Sequence, residues 1–346
     1  PIIGAIRKAK DEGSLIDYRL IHTGQHYDKA MSDNFFIQLG IPHPDINLGV
    51  GSGTQAQQTA GIMVKYEEVL QERKSDICLV VGDVTSTMAC AITAKKMLVK
   101  VAHVEGGIRS GDITMPEEIN RMVTDSITDF FFTTSETANN NLRKEGKSEE
   151  SIFFVGNTMI DTLLANRDRI FPPEIWKEAS LTKGNYFTLT LHRPSNVDDV
   201  EKLSSMIGEV MEGARGLPVI FPVHPRTRKN MGDIGQNYKN LHLVAPMSYL
   251  EFIYVVKNTR AVITDSGGIT EEATVMGIPC MTLRDSTERP ETVDIGTNEL
   301  LGSDQNALRG AFEKLFTTGW KKGSIPLYWD GKTSRRIVEH LLQIEI

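Results

Sequence analysis

Three carboxylates in this 346-residue chain have the setting that proton-transfer chemistry requires. Asp83 follows the apolar run 77–81, Glu105 follows the run 99–104, and Glu117 lies in a Met-Pro-Glu-Glu segment. Their spacing does not match that of metal ligands, whereas positioned carboxyl groups are common general acids and bases. We therefore predict that these three residues transfer protons to or from a bound substrate.

Two of the three carboxylates also fit a structural alternative. Asp83 could form an Asx turn or cap the next helix, and Glu117 could complete a capping box with Thr114. Glu105 lies between an apolar run and two glycines, where a structural role is hardest to assign. Glu105 is therefore the strongest candidate for chemistry.

The segment Ser266-Gly267-Gly268, which we name the glycine turn, has the pattern of a phosphate-binding turn. It follows the apolar strand that begins at Ala261 and precedes a predicted helix, so backbone amides and a positive helix end would face a ligand. The alternative is a plain turn that uses glycine for its φ angles. Glu272 favours a ligand, since it is placed to accept hydrogen bonds from a ribose.

Basic residues follow other predicted strands of the same half of the chain. A single histidine after a strand is as often a packing or capping residue, and this alternative stays open. Together, however, the basic side chains match a doubly charged diphosphate. The side chains matched to the diphosphate are Arg193, His224, Arg226 and Arg289, and His192 also follows a strand directly.

Strands and helices alternate along the sequence, beginning with a helix at the first residues, a strand at residues 18–23 and a helix at residues 32–39, and the pattern lapses around residues 161–171. This alternation predicts an α/β protein with doubly wound parallel sheets. Ligands of such sheets bind at the carboxyl ends of the strands, where the residues above lie. We predict two Rossmann-like domains facing a central cleft. Residues 1–170 form the domain that carries the carboxylates, residues 171–330 form the domain that carries the glycine turn, and residues 331–346 form a C-terminal helix. Because such a domain rarely begins at a helix, we also expect a strand before Pro1.

Composition narrows the partners and the compartment. A net charge of −7 with interspersed signs argues against a nucleic-acid surface, and no apolar run is long enough for a membrane span. Cys78, Cys90 and Cys280 lie in apolar segments without metal-like spacing, so we predict buried thiols in the cytoplasm.

Several segments, in this combination and order, are similar to one enzyme family. The chain resembles the non-hydrolysing UDP-N-acetylglucosamine 2-epimerases, which have the GT-B fold. The matching segments are GQHYD (24–28), VVGDVTST (80–87), HVEGGIRS (103–110), MPEEINR (115–121), GNTMIDTL (156–163), LHRPSN (191–196), PVHPRTR (222–228), TDSGGITEEA (264–273) and RDSTERPE (284–291).

The resemblance implies the interconversion of UDP-N-acetylglucosamine and UDP-N-acetylmannosamine for surface polysaccharide synthesis. A base removes the C2 proton as UDP leaves C1, and UDP then adds back to the 2-acetamidoglucal. The resemblance further implies that residues 171–330 bind the UDP group and that the helix at residues 331–346 crosses back to the first domain. It also implies a homodimer that needs no metal and no cofactor. It assigns catalysis to Asp83, Glu105, Glu117 and His192, without deciding which carboxylate is the base. The implied substrate-binding residues are Arg121, Arg193, His224, Phe252 at the uracil, Ser266, Gly267, Gly268, Glu272 and Arg289.

Departures from the family pattern leave other functions open. Ser195 stands where many members have Glu, Gly106 replaces the commoner Ala, and Tyr27-Asp28 differs from members with a regulatory site. A 2-epimerase of another UDP-sugar, such as UDP-2,3-diacetamido-glucuronic acid, or a hydrolysing epimerase would keep these carboxylates. A GT-B glycosyltransferase or a non-catalytic UDP-sugar sensor would have little use for the carboxylates Asp83, Glu105 and Glu117.

Overall fold

The computed structural model describes residues 1–24, 38–223, 227–228, 231–232, 234–302 and 304–345. The chain divides into two compact units: unit 1 comprises residues 1–164 and 327–346, and unit 2 comprises residues 165–326. The sequence-based prediction had set the corresponding changes at residues 170 and 331. None of the helices in the described ranges is long and apolar enough to cross a membrane.

Unit 1 contains a four-stranded parallel sheet of order β3-β4-β5-β6 and a separate parallel pair, β1-β2. Its strands are β1 (Ile21–His22), β2 (Ile46–Asn47), β3 (Ile77–Val81), β4 (Lys100–Val104), β5 (Phe130–Thr133) and β6 (Ile152–Phe154). Its helices are α1 (Ile2–Asp11), α2 (Gln55–Glu72), α3 (Thr85–Lys96), α4 (Pro116–Ile127), α5 (Glu136–Lys144), α6 (Thr158–Asn166) and α14 (Thr333–Leu341), the last in the chain.

Unit 2 contains one six-stranded parallel sheet of order β12-β11-β10-β7-β8-β9. Its strands are β7 (Phe187–Thr190), β8 (Val219–Pro222), β9 (Leu241–Val244), β10 (Ala261–Thr264), β11 (Cys280–Thr282) and β12 (Asn298–Leu300). Its described helices are α7 (Glu174–Glu178), α8 (Pro194–Val197), α9 (Val200–Gly213), α10 (Tyr249–Asn258), α11 (Gly268–Met276), α12 (Pro290–Asp294) and α13 (Gln305–Thr317).

The strand order of unit 2 creates a switch point between β7 and β10. From β7 the sheet grows through β8 to β9 on one side, and from β10 it grows through β11 to β12 on the other. In such sheets ligands bind outside the carboxyl ends of the two central strands. The prediction of an α/β protein with parallel sheets is confirmed.

The strands lie in the core because they are short, nearly continuous apolar runs, which is typical of a parallel sheet covered on both faces. In unit 2, Phe187, Leu189 and Ile263 are fully buried in one cluster with Leu203 of α9 and Phe312 of α13. Burying such a side chain stabilises the fold by about 1.5–3 kcal/mol. This packing makes the strand ends a firm support for the residues that follow them.

The structure corrects the expected loss of pattern after Asp161. That residue lies inside α6, and its carboxylate accepts hydrogen bonds from the backbone amides of Thr333 at 3.0 Å and Ser334 at 2.6 Å. These amides open α14, so a buried polar residue that weakens the local pattern anchors a distant helix in the same unit. Strands β2 and β12 were missed because two or three residues show no period.

Two other predictions concern the first strands and helices of the chain. The strand predicted at residues 18–23 is confined to Ile21–His22. The helix predicted at residues 32–39 lies almost entirely outside the described residues, as do Gln25, His26, Tyr27 and Asp28.

Candidate functional site

Asp83 and Glu105 follow neighbouring parallel strands of unit 1 at the same edge of the sheet. In the β3-β4 register Val81 lies opposite Val104, and the Gly82 amide donates to the Val104 carbonyl at 3.1 Å. Asp83 is two residues after Val81 and Glu105 is one residue after Val104, so both carboxylates directly follow the last residue pair of these strands. The tertiary structure therefore brings these two predicted site residues to one place.

Asp83 is held by α4, not by the helix that follows it. The buried Arg121 side chain donates from Nη2 to Asp83 and from Nη1 to Glu118 Oε2 at 2.8 Å, while Asn120 donates to the Asp83 carbonyl at 2.8 Å. The N-cap of α3 is Val84, so the capping alternative for Asp83 is wrong. Arg121, predicted to bind substrate, lies between two carboxylates.

Glu117 and its neighbour Glu118 have different environments in the first turn of α4. Glu117 is partly exposed, and the capping box is wrong because the N-cap is Met115 and the Thr114 hydroxyl donates to Asp112 at 2.6 Å. Glu118 is buried at 2 % exposure. The sequence analysis gave Glu118 no role, although its spacing of three residues from Arg121 was a usable signal.

The carboxylate of Glu118 closes the loop before α4. It accepts hydrogen bonds from the amides of Ser110 at 3.0 Å and Gly111 at 2.9 Å as well as from Arg121. Burial alone would raise the pKa of Glu118, but these donors outweigh it and hold the pKa below its ordinary value. Glu118 is thus a charged support for the loop.

Glu105 has an unusual backbone for a residue other than glycine, with φ at +73°. Its amide donates to the Phe132 carbonyl at 2.8 Å, which fixes the end of β4 against β5. Gly107, two residues on, has φ at +80°, and a Cβ there would lie 2.5 Å from the Ala138 carbonyl oxygen. The left-handed conformation costs a non-glycine residue about 1 kcal/mol or more and is enriched at functional sites.

A buried ionic network lies directly behind these strand ends. The fully buried His103 ring contacts Asp125 Oδ1 through Nδ1 at 2.6 Å and the Gly82 carbonyl through Nε2 at 2.8 Å. Asp125 also accepts from the Gly107 amide at 2.9 Å and from Arg109 Nη1 at 2.7 Å. Because both neighbours of the ring are acceptors, both ring nitrogens donate and His103 is an imidazolium.

The pKa shifts agree with that charge state. Burial alone would lower the pKa of His103, but Asp125 and the Gly82 carbonyl outweigh it and raise the pKa. Burial alone would raise the pKa of Asp125, but His103 and Arg109 hold it low. The sequence analysis missed this pair because its members are 22 residues apart.

In unit 2, His192 follows β7 and Asp265 follows β10, on the two sides of the switch point. The ring Nδ1 of His192 lies 2.8 Å from Asp265 Oδ1, and the backbone amide of His192 also donates to this carboxylate. Asp265 is fully buried, whereas the His192 side chain is 62 % exposed. Asp265 was not among the predicted site residues.

The glycine turn follows β10 immediately and leads into α11. Neither glycine has a positive φ, so the alternative that the turn uses glycine for its φ angles is wrong. A Cβ at Gly267 would lie 2.5 Å from Glu288 Oε1, whereas a Cβ at Gly268 would meet no described atom within 4 Å. A side chain at Gly267 would displace the Glu288 carboxylate, whereas Gly268 leaves space at the positive end of the helix.

Glu272 lies one turn into α11 and is 4 % exposed. It accepts a hydrogen bond from the Tyr249 hydroxyl at 2.9 Å, and burial raises the pKa of Glu272 to about 7. Tyr249 and Phe252 both lie on α10, and Phe252 is partly buried against the cluster that contains Ile269. The structure therefore places Glu272 and Phe252 on two contacting helices.

The predicted basic residues of unit 2 are found in different settings. Arg289 is buried and forms an ion pair with Glu271. Arg193 donates its backbone amide to Asp265 at 3.1 Å. His224 and Arg226 lie outside the described residues. Within the described ranges, no group of three or more His, Cys, Asp or Glu side chains could hold a metal ion.

Comparison with known proteins places these features in one family. The family model for UDP-N-acetylglucosamine 2-epimerase matches residues 8–342. The UDP-N-acetylglucosamine 2-epimerase of Methanocaldococcus jannaschii is 40 % identical, with 99 % of this chain and 94 % of that protein covered. The UDP-2,3-diacetamido-2,3-dideoxy-D-glucuronate 2-epimerase of Pseudomonas aeruginosa is 37 % identical, with 98 % and 95 % covered.

The same similarity holds for solved structures. The M. jannaschii UDP-GlcNAc 2-epimerase in complex with UDP-GlcNAc and UDP has a TM-score of 0.86 at 40 % identity, with 98 % of this chain and 95 % of that chain covered. The predicted α/β architecture of the GT-B type is therefore confirmed. The chain belongs to the UDP-N-acetylglucosamine 2-epimerase family.

Proposed function

We propose that this chain interconverts UDP-N-acetylglucosamine and UDP-N-acetylmannosamine without releasing a free sugar. The observation that carries the proposal is Glu105, a carboxylate on a left-handed backbone beside Asp83 at one edge of a parallel sheet. Strain of this kind persists where the surroundings enforce it, and here Gly107 and the His103–Asp125 network do so. Family membership supplies the reaction for which such carboxylates are suited.

The proposed chemistry is an elimination followed by an addition. A carboxylate of unit 1 takes the proton from C2, the electron pair forms the C1=C2 double bond, and the C1–O bond to UDP breaks. A second group then delivers a proton to the opposite face of C2 while UDP re-forms its bond to C1. Asp83, Glu105 and Glu117 are the proposed proton-transfer residues, and Arg121 forms an ion pair with Asp83.

Unit 2 is proposed to bind the part of the substrate that leaves and returns. The amides of the glycine turn at the start of α11 suit the diphosphate, because a helix amino terminus favours negative charge. His192 lies across the switch point from that turn. Glu272 would accept hydrogen bonds from the ribose and Phe252 would contact the uracil. Arg193, His224 and Arg289 remain proposed contacts of the diphosphate.

Proton NMR of UDP-N-acetylglucosamine incubated with the protein in D2O tests this function. We expect UDP-N-acetylmannosamine to form and deuterium to enter at C2. Free N-acetylmannosamine would instead identify a hydrolysing enzyme, and the absence of any exchange would contradict the proposal. A parallel incubation with UDP-2,3-diacetamido-glucuronic acid tests the second candidate, which the similarity to the P. aeruginosa enzyme favours.

We further propose that the protein is a cytoplasmic homodimer. We also propose that units 1 and 2 are the two functional domains of each chain. Three free cysteines, two of them buried, support a reducing compartment. Exposed apolar side chains on unit 1, Val64 of α2 with Ile119 and Met122 of α4, support an interface. Light scattering should give twice the mass of the chain, and the mass of a single chain would contradict the dimer.

A further inference from the structure

The carboxylate of Asp265 gathers four hydrogen bonds from the segment that follows β7. It accepts from the backbone amides of His192 and Arg193, each at 3.1 Å, and from Asn196 Nδ2 at 3.0 Å. The fourth donor is His192 Nδ1 at 2.8 Å. One side chain at the end of β10 therefore determines the conformation of a loop at the end of the neighbouring strand.

The charge of Asp265 determines which nitrogen of His192 carries a proton. Burial alone would raise the pKa of Asp265, but hydrogen bonds from His192 and Asn196 outweigh it and hold the pKa low. An ionised carboxylate only accepts hydrogen bonds, so Nδ1 of the ring must be the donor. Proton exchange at His192 is then left to Nε2.

The position of the ring leaves Nε2 available to a ligand. The His192 side chain is 62 % exposed, although its Asp265 partner is fully buried. Among the described residues, Nε2 makes no hydrogen bond. The Asp265 backbone connects directly to the glycine turn, so one residue links the histidine to the proposed diphosphate seat.

We propose that Asp265 is a positioning residue of the reaction, which fixes His192 as the Nδ1–H form and aims Nε2 at the diphosphate that leaves C1. The inference rests on the proposed function for the identity of the ligand. The tautomer and the loop conformation do not depend on it.

The first test is the tautomer of His192 in the unaltered protein. With 15N-labelled histidine, the ring shifts are recorded on the alkaline side, where the ring carries one proton, and the signal is assigned by its loss in His192→Gln. We expect a protonated Nδ1 and an unprotonated Nε2. A protonated Nε2 would overturn the proposal even if no variant of Asp265 folded.

The second test is the coupling between the two residues. Asp265→Asn keeps the shape but places an amide where an acceptor is needed, so kcat should fall by about 10²- to 10⁴-fold, the range of a lost acid–base group. In a His192→Gln background the same change should cost almost nothing more, because the residue through which Asp265 acts is already absent. Losses that multiply in the double variant would show a merely structural role and overturn the proposal.

The matched control is Asp199→Asn, the same chemical change in the same unit. Asp199 is exposed and caps α9 by accepting from the Lys202 amide at 3.0 Å, a role that asparagine fills equally well. This variant should keep the parent activity. If the unaltered protein shows the expected tautomer but no C2 exchange with UDP-N-acetylglucosamine, the proposed function fails while the positioning role stands.

Discussion

In the described part of each unit a buried aspartate pairs with a histidine that lies near the carboxyl end of a strand, and the two pairs differ in what the second ring nitrogen does. In unit 1, His103 is fully buried and both its nitrogens donate within the protein. In unit 2 the His192 side chain is 62 % exposed, and of its two ring nitrogens only Nδ1 donates a hydrogen bond to Asp265. The distances of 2.6 Å and 2.8 Å are nearly equal.

The difference teaches that an Asp–His pair is not by itself a sign of catalysis. Both nitrogens of the His103 ring make hydrogen bonds within the protein, so this ring cannot exchange a proton with a substrate. The His103–Asp125 pair is therefore a structural ion pair, which we name the brace. A ring with one nitrogen committed is oriented by the protein and remains reactive at the other. In unit 1 we therefore expect the proposed chemistry to come from the carboxylates that this pair supports.

The largest expected effect is on the rate of C2 exchange and tests Glu105, the carboxylate beside the His103–Asp125 pair. Glu105→Gln keeps size and hydrogen bonding but cannot take a proton, so C2 exchange into D2O should fall by about 10²- to 10⁴-fold. UDP binding, measured by calorimetry, should hardly change. Glu150→Gln, an exposed change in the same unit, is the control. Exchange at the parent rate in Glu105→Gln would make Glu105 a structural residue.

The next largest effect is on the free energy of unfolding, to which His103 should contribute more than His192. Leaving one member of a buried ion pair without its partner costs about 3–5 kcal/mol. Because Arg109 still pairs with Asp125 in His103→Gln, the free energy of unfolding should fall by about 3 kcal/mol, the lower end of that range, whereas His192→Gln, at an exposed side chain, should change it by less than about 1 kcal/mol. Urea denaturation of the two variants measures this. Equal losses would remove the distinction between a brace and an exposed reactive ring.

A smaller effect is expected on the nucleotide side. Burial raises the pKa of Glu272 to about 7, so above that pH Glu272→Gln removes a charged acceptor proposed for the ribose and should weaken UDP binding by about 1.5–3 kcal/mol. KM should rise with little change in kcat, because the contact is the same in ground and transition states. Glu201→Gln, an exposed change in unit 2, is the control. A fall in kcat without a change in KM would move Glu272 to the chemical step.

The smallest effect is a pH dependence of stability. The folded pKa of His103 is raised, so its contribution is complete below about pH 6.5, its ordinary pKa, and is lost as pH rises through the folded value. The folded pKa of Asp125 is lowered, so its contribution is lost only as pH falls below about 3.9. Between these limits the pair contributes fully.

The measurement is the unfolding free energy from pH 6 to 9. The unaltered protein should lose stability with rising pH more steeply than the double variant His103→Gln/Asp125→Asn, which lacks both charges. The same slope in both proteins would show that His103 does not carry its charge through this range.

The sequence by itself was sufficient for the fold class, and it also yields the proposed ligand positions. Alternation of apolar runs with helical segments predicts parallel sheets, and the rule that ligands bind at strand ends singled out Asp83, Glu105 and the glycine turn. Both inferences are possible because each depends on residues close together in the chain. The family, which rests on several such segments in order, was predicted from the sequence and confirmed.

Only the folded chain shows which polar residues support the others. Asp265 is 73 residues from His192, Asp125 is 22 from His103, and Arg121 is 38 from Asp83. No local period or cap connects such partners, because parallel strands that are neighbours in a sheet are separated by whole helices in sequence. The same sequence pattern, a histidine at a strand end, thus becomes a buried brace in one unit and an exposed ring in the other.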